Sequence, residues 1–225
     1  MIPLRDTIPS RRAAWVMLAL VHLNVLVFFW ELWQGHAAEA WLYRFGVVPS
    51  AWVWEQPSDV LELPQRLWTL VTSQFFHGGL LHLGSNMLYL WIFGDNVEDR
   101  LGHGRFLLLY LGSGIVAATT QLLMNPGSSV PMIGASGAIA GVLGAYFLLF
   151  PFAKIVTLVP LFFVWRTIEI PAFVFLGFWF VIQWIQGLPS LGASATAGGV
   201  AWWAHVGGFV SGLALAGWLR RRHLV

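Results

Sequence analysis

The sequence predicts an all-α membrane protein with a six-transmembrane-helix core, on three observations. First, 58% of the 225 residues are hydrophobic and only 10% are charged, with a mean hydropathy of +0.72. So few polar side chains cannot cover a water-facing globule. Second, apolar runs recur along the chain, several approaching the roughly 17 to 25 residues that a helical span requires. Third, when six spans are threaded alternately from a cytoplasmic N-terminus, all of the 12 Arg and Lys except Arg44 and Arg66 fall on the inner side.

The spans are taken in order. The first, 14–33, is too long for a signal-peptide core and ends in large residues, so it reads as a helix that stays in the membrane. The second is 83–96, the third 106–124, the fourth 136–150, the fifth 170–185 and the sixth 202–219. Several are short. At about 1.5 Å per residue, a helix of some 15 residues covers about 22 Å of a roughly 30 Å hydrocarbon core, so one end stops inside the bilayer or the bilayer thins. The connection 35–81 carries Trp41, Trp52, Trp54, Pro49, Pro57 and Pro64 and reads as short interfacial helices at the outer headgroup level. The stretch 151–169 is apolar, interrupted by Pro160 and charged at Lys154 and Arg166, and reads as an inner interfacial or re-entrant segment. The domain reading is one transmembrane domain, 14–219, between short cytoplasmic tails, 1–13 and 220–225.

Composition also excludes function classes. The net charge of +2 and pI near 9.4 come from arginines at span ends, without a dense basic patch, so no nucleic-acid partner is expected. The absence of cysteine rules out disulfides, thiol catalysis and cysteine metal sites. A zinc protease would need His-Glu-x-x-His on a helix and an aspartyl protease two intramembrane aspartates; neither pattern is present, Asp95 standing singly at an inner helix end.

Ser136 opens the fourth span between Gly134 and Gly137, while His205 opens the sixth and His82 and Asn86 open the second. All four then share one outer depth. A serine hydroxyl becomes nucleophilic when a neutral imidazole takes its proton, and Ser136 with His205 supplies that pair. At a helix N-terminus, free backbone N–H groups and the positive dipole end favour an oxyanion. His82 and Asn86, four residues apart, share a helix face and can both donate to it. With no Asp or Glu read at an outer helix end, the expectation is a dyad without a carboxylate.

Blander readings compete. A serine between glycines in a membrane helix is ordinarily a packing residue, and Gly137 with Gly141 forms a small-xxx-small seam. Gly208 and Gly212 behind His205, facing Gly137, Gly141 and Gly144, would let the fourth and sixth spans approach closely, so packing and catalysis support each other. His22, mid-span beside Asn24, is assigned to interhelical hydrogen bonding, and His77 to a structural bond in the outer connection.

Taken together, the segments His77-Gly-Gly-Leu-Leu-His82-Leu-Gly-Ser-Asn86, Val97-Glu98-Asp-Arg100-Leu-Gly102, Gly134-Ala-Ser136-Gly137 and Ala204-His205-Val-Gly207-Gly208 resemble the rhomboid family of intramembrane serine proteases. The resemblance covers most of the chain from Trp68 to Gly217. It implies Ser136 as nucleophile, His205 as general base and acid, and His82 and Asn86 as oxyanion donors beside the Ser136 backbone N–H. It further implies peptide-bond hydrolysis near the outer end of transmembrane protein substrates, through an acyl-enzyme and with neither cofactor nor metal. The fifth helix and the connection 187–201 would be gate and cap, and Glu98 and Arg100 a structural polar cluster. Where many relatives carry Trp-Arg in the first outer connection, Trp68 is followed here by Thr69. A nonproteolytic rhomboid-like binder is the competing reading. The expected location is a prokaryotic plasma membrane, in the absence of a transit peptide or tail.

Overall fold

In a computed structural model of the chain, residues 1–55, 62–161, 164–191 and 199–224 are described. Pro57, the Phe162–Phe163 pair and residues 192–198 of the expected cap lie outside them. A strand, β1 (Ile2–Asp6), leads into α1 (Trp15–Gln34). A 3-10 turn and three short helices follow: α2 (Ala38–Phe45), α3 (Pro49–Trp54) and α4 (Glu62–Thr72). Long helices resume with α5 (Leu80–Leu101), α6 (His103–Met124) and α7 (Ser136–Leu149). The strands β2 (Lys154–Leu161) and β3 (Val164–Pro171) then precede α8 (Ala172–Gly187) and α9 (Trp202–Arg221).

The six long helices coincide with the six apolar runs of the sequence. Among the described residues three helical stretches, Trp15–Phe45, His103–Met124 and Ala172–Ser190, are long and apolar enough to cross a membrane; α7 is shorter and α5 and α9 are less apolar. The bundle is apolar outside as well as inside. Leu26, Phe29 and Trp33 on α1, Leu108 on α6 and Ile185 on α8 are all exposed. Such surfaces are stable against lipid and not against water.

An all-α fold is corrected by a three-stranded antiparallel sheet in the order β1-β2-β3. Ile2 stands opposite Leu158 and Asp6 opposite Ile155, while β2 and β3 pair from Lys154 with Pro171 to Leu161 with Val164. The segment read as interfacial or re-entrant is therefore a β-hairpin. Its physical reason lies in its β-branched content: Ile155, Val156, Thr157, Val159, Val164, Thr167, Ile168 and Ile170 suit a pleated surface, and Pro160 disfavours a helix. The N-terminal tail contributes the third strand, and Lys154 Nζ donates to Glu169 Oε2 at 2.8 Å across the hairpin.

Helix packing sets the core. The most extensive pairing is between α7 and α9. A Cβ at Gly208 would lie 2.0 Å from Gly137 O, one at Gly212 1.8 Å from Gly141 O, and one at Gly144 2.0 Å from Phe209 O. Glycine is therefore required for this approach. At the opposite end from Ser136, the buried Glu98 of α5 accepts the Val16 N–H at 2.9 Å, the Met17 N–H at 2.7 Å and a bond from His103 Nδ1 at 2.5 Å. The first turn of α1 has no side-chain cap of its own, so Glu98 caps it from another helix. That is the structural polar role expected for Glu98.

Candidate active site

The Ser136 end of the bundle is assembled from α1, α5, α7, α8 and α9. Ser136 is the first residue of α7, where the opening N–H groups lack intrahelical acceptors. His205 lies in the first turn of α9, buried, with Nε2 2.9 Å from Ser136 Oγ. The close α7–α9 seam brings two residues 69 apart in sequence to hydrogen-bond distance. Ala204 N–H donates to Gln121 Oε1 of α6 at 3.2 Å, which helps to seat this turn of α9.

His82 and Asn86 lie one turn apart on α5, as their spacing predicts. Gly134 joins them to Ser136. Its φ is +118°, and a Cβ there would meet His82 Nε2 at 2.6 Å and Asn86 Nδ2 at 3.7 Å. Both conditions demand glycine. The loop before Ser136 is held by Gly134 N–H to Ser73 O at 2.8 Å and by a two-bond bridge between Val47 and Met132. Asn86 Nδ2 is buried without a hydrogen-bond partner. A donor in that condition costs free energy unless a ligand satisfies it.

Two side chains missed by the sequence reading stand behind this group. Gln183 of α8, 4% exposed, lies with Oε1 2.7 Å from His205 Nδ1, while its Nε2 donates to Trp179 O at 3.1 Å. Glu31, near the C-terminal end of α1, is the second, and it corrects the expectation that no carboxylate occupies this end of the helices. Buried at 5% exposure, it accepts the His77 N–H with both oxygens at 3.2 Å. The His77 ring meets the His82 ring edge-on, with centroids 5.0 Å apart, and Gly78 N–H points to His82 Nδ1 at 3.4 Å. Burial pulls the His77 imidazole down to about 4, with His82 acting in the same direction, so it is uncharged near neutral pH. Neither Gln183 nor Glu31 belongs to a local motif; an amide or acid inside an apolar helix was the available signal.

Other expectations change in detail. His22 Nδ1 bonds to Leu18 O and Asn24 Nδ2 to Leu20 O, each on its own helix, so neither bond is interhelical. An arginine still serves the outer connection although Thr69 follows Trp68: Arg66 Nη1 donates to Ala51 O and Glu55 O, both at 2.7 Å. No group of three or more His, Asp or Glu suited to a metal occurs among the described residues.

The crevice at Ser136 has a volume of about 20 Å³, between Ser73, Gln74, Ile133, Gly134 and Ala204. That is room for about one water molecule. A cavity of about 350 Å³ lies away from it, among Tyr43, Arg44, Trp52, Glu55 and Arg66 of the connection.

A helical bundle with lipid-compatible surfaces and a partly buried serine–histidine contact defines a helical integral membrane protein. The Rhomboid domain sequence model matches residues 64–222, and the chain belongs to the rhomboid family. It is 32% identical over 204 residues to Rhomboid protein 1, mitochondrial, of Saccharomyces cerevisiae, covering 89% of this chain and 51% of that protein. Over 126 residues it is 36% identical to Rhomboid protease GluP of Bacillus subtilis, 56% of this chain and 22% of that one. The human presenilin-associated rhomboid-like protein, mitochondrial, is 32% identical over 128 residues, 56% of this chain and 30% of that protein. The chain thus spans about half or less of the length of these relatives.

Proposed function

We propose that the chain is an intramembrane serine endopeptidase that cleaves transmembrane protein substrates near the outer membrane face. In this reading residues 14–219 form one domain of six spans, with both termini cytoplasmic, in a prokaryotic plasma membrane. The observation that carries the reading is the 2.9 Å contact between Ser136 Oγ and His205 Nε2 at the mouth of α7.

The chemistry in this reading runs through a covalent intermediate. Ser136 Oγ attacks the scissile carbonyl as His205 Nε2 takes the hydroxyl proton. The carbonyl oxygen becomes an oxyanion, met by the Ser136 backbone N–H, the Asn86 amide and His82. Collapse breaks the C–N bond, and His205 returns its proton to the leaving amine. The acyl-serine is then hydrolysed by water, His205 accepting one water proton and giving it back to Ser136. Backbone in an intact helix is shielded, so a substrate segment must unwind first. The narrow crevice must widen before a peptide can enter, and α8 is the element assigned to move in this reading.

A fluorophosphonate probe tests the reading on protein in detergent, beside cleavage of a transmembrane reporter in liposomes. Wild type should be labelled at Ser136 and cleave the reporter; Ser136→Ala and His205→Ala should lose both, cleavage falling by about 10⁴-fold or more. Unlabelled, inactive wild type would favour the nonproteolytic binder, and unaltered cleavage in both variants would remove the dyad. Mitochondrial as well as bacterial names occur among the relatives, so fractionation of the tagged chain in its own cell decides the membrane.

A further inference from the structure

We infer that Gln183 is a positioning residue for His205, fixing the tautomer and orientation in which the imidazole can take the Ser136 proton. The inference rests on the serine protease reading of Ser136 and His205, and deepens it.

The amide orientation is determined by its second partner. Trp179 O can only accept a hydrogen bond, so the group facing it at 3.1 Å must be the amide nitrogen, Nε2. Oε1 is thereby turned to His205 Nδ1 at 2.7 Å, and an oxygen that can only accept requires Nδ1 to carry the proton. Nε2 of the imidazole is then the bare nitrogen, and it is the one that lies 2.9 Å from Ser136 Oγ. The two hydrogen bonds of Gln183 thus select the base-competent tautomer through a chain of four groups on α8, α9 and α7.

Placement explains why the residue is an amide. A carboxylate at this depth would bring a charge into surroundings of low dielectric, whereas a neutral amide accepts the Nδ1 proton at smaller desolvation cost. Of the two glutamines on α8, Gln186 is exposed and Gln183 is buried on the face towards α9. The Trp179 ring, its centroid 5.7 Å from that of His205, limits the imidazole from the same helix. The opposite face of α8 is open, with Phe178, Val181 and Ile185 exposed. Because the acceptor sits on α8, orientation of the base depends on that helix remaining packed against α9.

The test compares wild type, Gln183→Met and Gln183→Glu in detergent by reporter kinetics, thermal midpoint and 15N spectra of labelled histidine. Gln183→Met keeps the length and removes the acceptor; kcat should fall by about 10²-fold with KM within twofold. The His205 signals should move from the Nδ1–H form towards a tautomer mixture. Gln183→Glu, which restores an acceptor, should recover at least tenfold of the lost kcat. A Gln183→Met protein with wild-type kcat and an unchanged His205 tautomer overturns the inference. So does a loss of activity that follows only a fall in thermal midpoint, with the tautomer unchanged. The serine protease reading fails separately, when wild type neither cleaves nor labels at Ser136.

Discussion

Asn86 shows most directly what single side chains contribute at the Ser136 end. Its Nδ2 is buried and unpartnered, one turn from His82 and facing the loop that Gly134 allows to pass. A donor kept out of water with no acceptor is worth retaining where charge develops transiently, because its full strength is then spent on the transition state. Asn86→Ala should therefore lower kcat by about 10²- to 10³-fold while KM stays nearly constant, as measured on the reporter. A rise in KM at constant kcat would reassign Asn86 to ground-state substrate contact. Ser136, His205, His82 and Asn86 could be proposed as site residues from the sequence because charge bias assigned them one depth and spacing put His82 and Asn86 on one face. Gln183 and Glu31 could not, since each acts on a residue of another segment: Gln183 on His205, and Glu31 on the backbone of His77.

At the scale of elements, the α7–α9 seam is the feature on which the serine–histidine distance depends. A methyl group at Gly212 would fall 1.8 Å from Gly141 O, which is backbone and cannot turn aside. Gly212→Ala should cost about 1 to 3 kcal/mol, the range for overpacking, and depress activity by separating the two helices. Gly112, inside α6 with nothing within 4 Å of an added Cβ, is the matched control. Gly112→Ala should be neutral or stabilising by up to about 1 kcal/mol. Thermal midpoints in one detergent compare the two; equal midpoints would argue that α7 and α9 have slack. The helices themselves were legible in the sequence to within a few residues, except that α5 runs to Leu101, beyond the apolar run that marks it, into the charged segment that caps α1.

For the whole molecule, the end opposite Ser136 is tied together by the N-terminal strand. Asp6 Oδ2 accepts from Tyr146 OH at 2.6 Å and Asn96 Nδ2 at 2.8 Å, joining the sheet to α7 and α5. Burial raises the Asp6 carboxyl to about 6, with the Tyr146 bond opposing and Asp95 adding to the rise. A folded-state value above the unfolded one means that the protonated form is favoured by folding. This stability is fully present below about pH 4 and is lost as pH rises through about 6. Wild type should therefore lose stability between about pH 4 and 6 relative to Asp6→Asn, which has no proton to release; parallel pH profiles of thermal midpoint for both proteins would exclude the contribution. The consequence reaches further than β1, since β3 leads directly from this sheet into α8.

The sequence by itself determined the membrane class, the six apolar helices and the rhomboid motifs. Composition, run length and short spacings are properties of contiguous residues and need no knowledge of the fold. Only the tertiary structure decided that strand 2–6 pairs with strand 154–161, that Glu98 caps α1, and that Glu31 and Gln183 stand behind two histidines. Each of these joins residues far apart in the chain. A hydrogen bond between distant segments is specified by which faces of the chain pack together and not by any local preference for the bond, as the glycines of the α7–α9 seam show for Ser136 and His205.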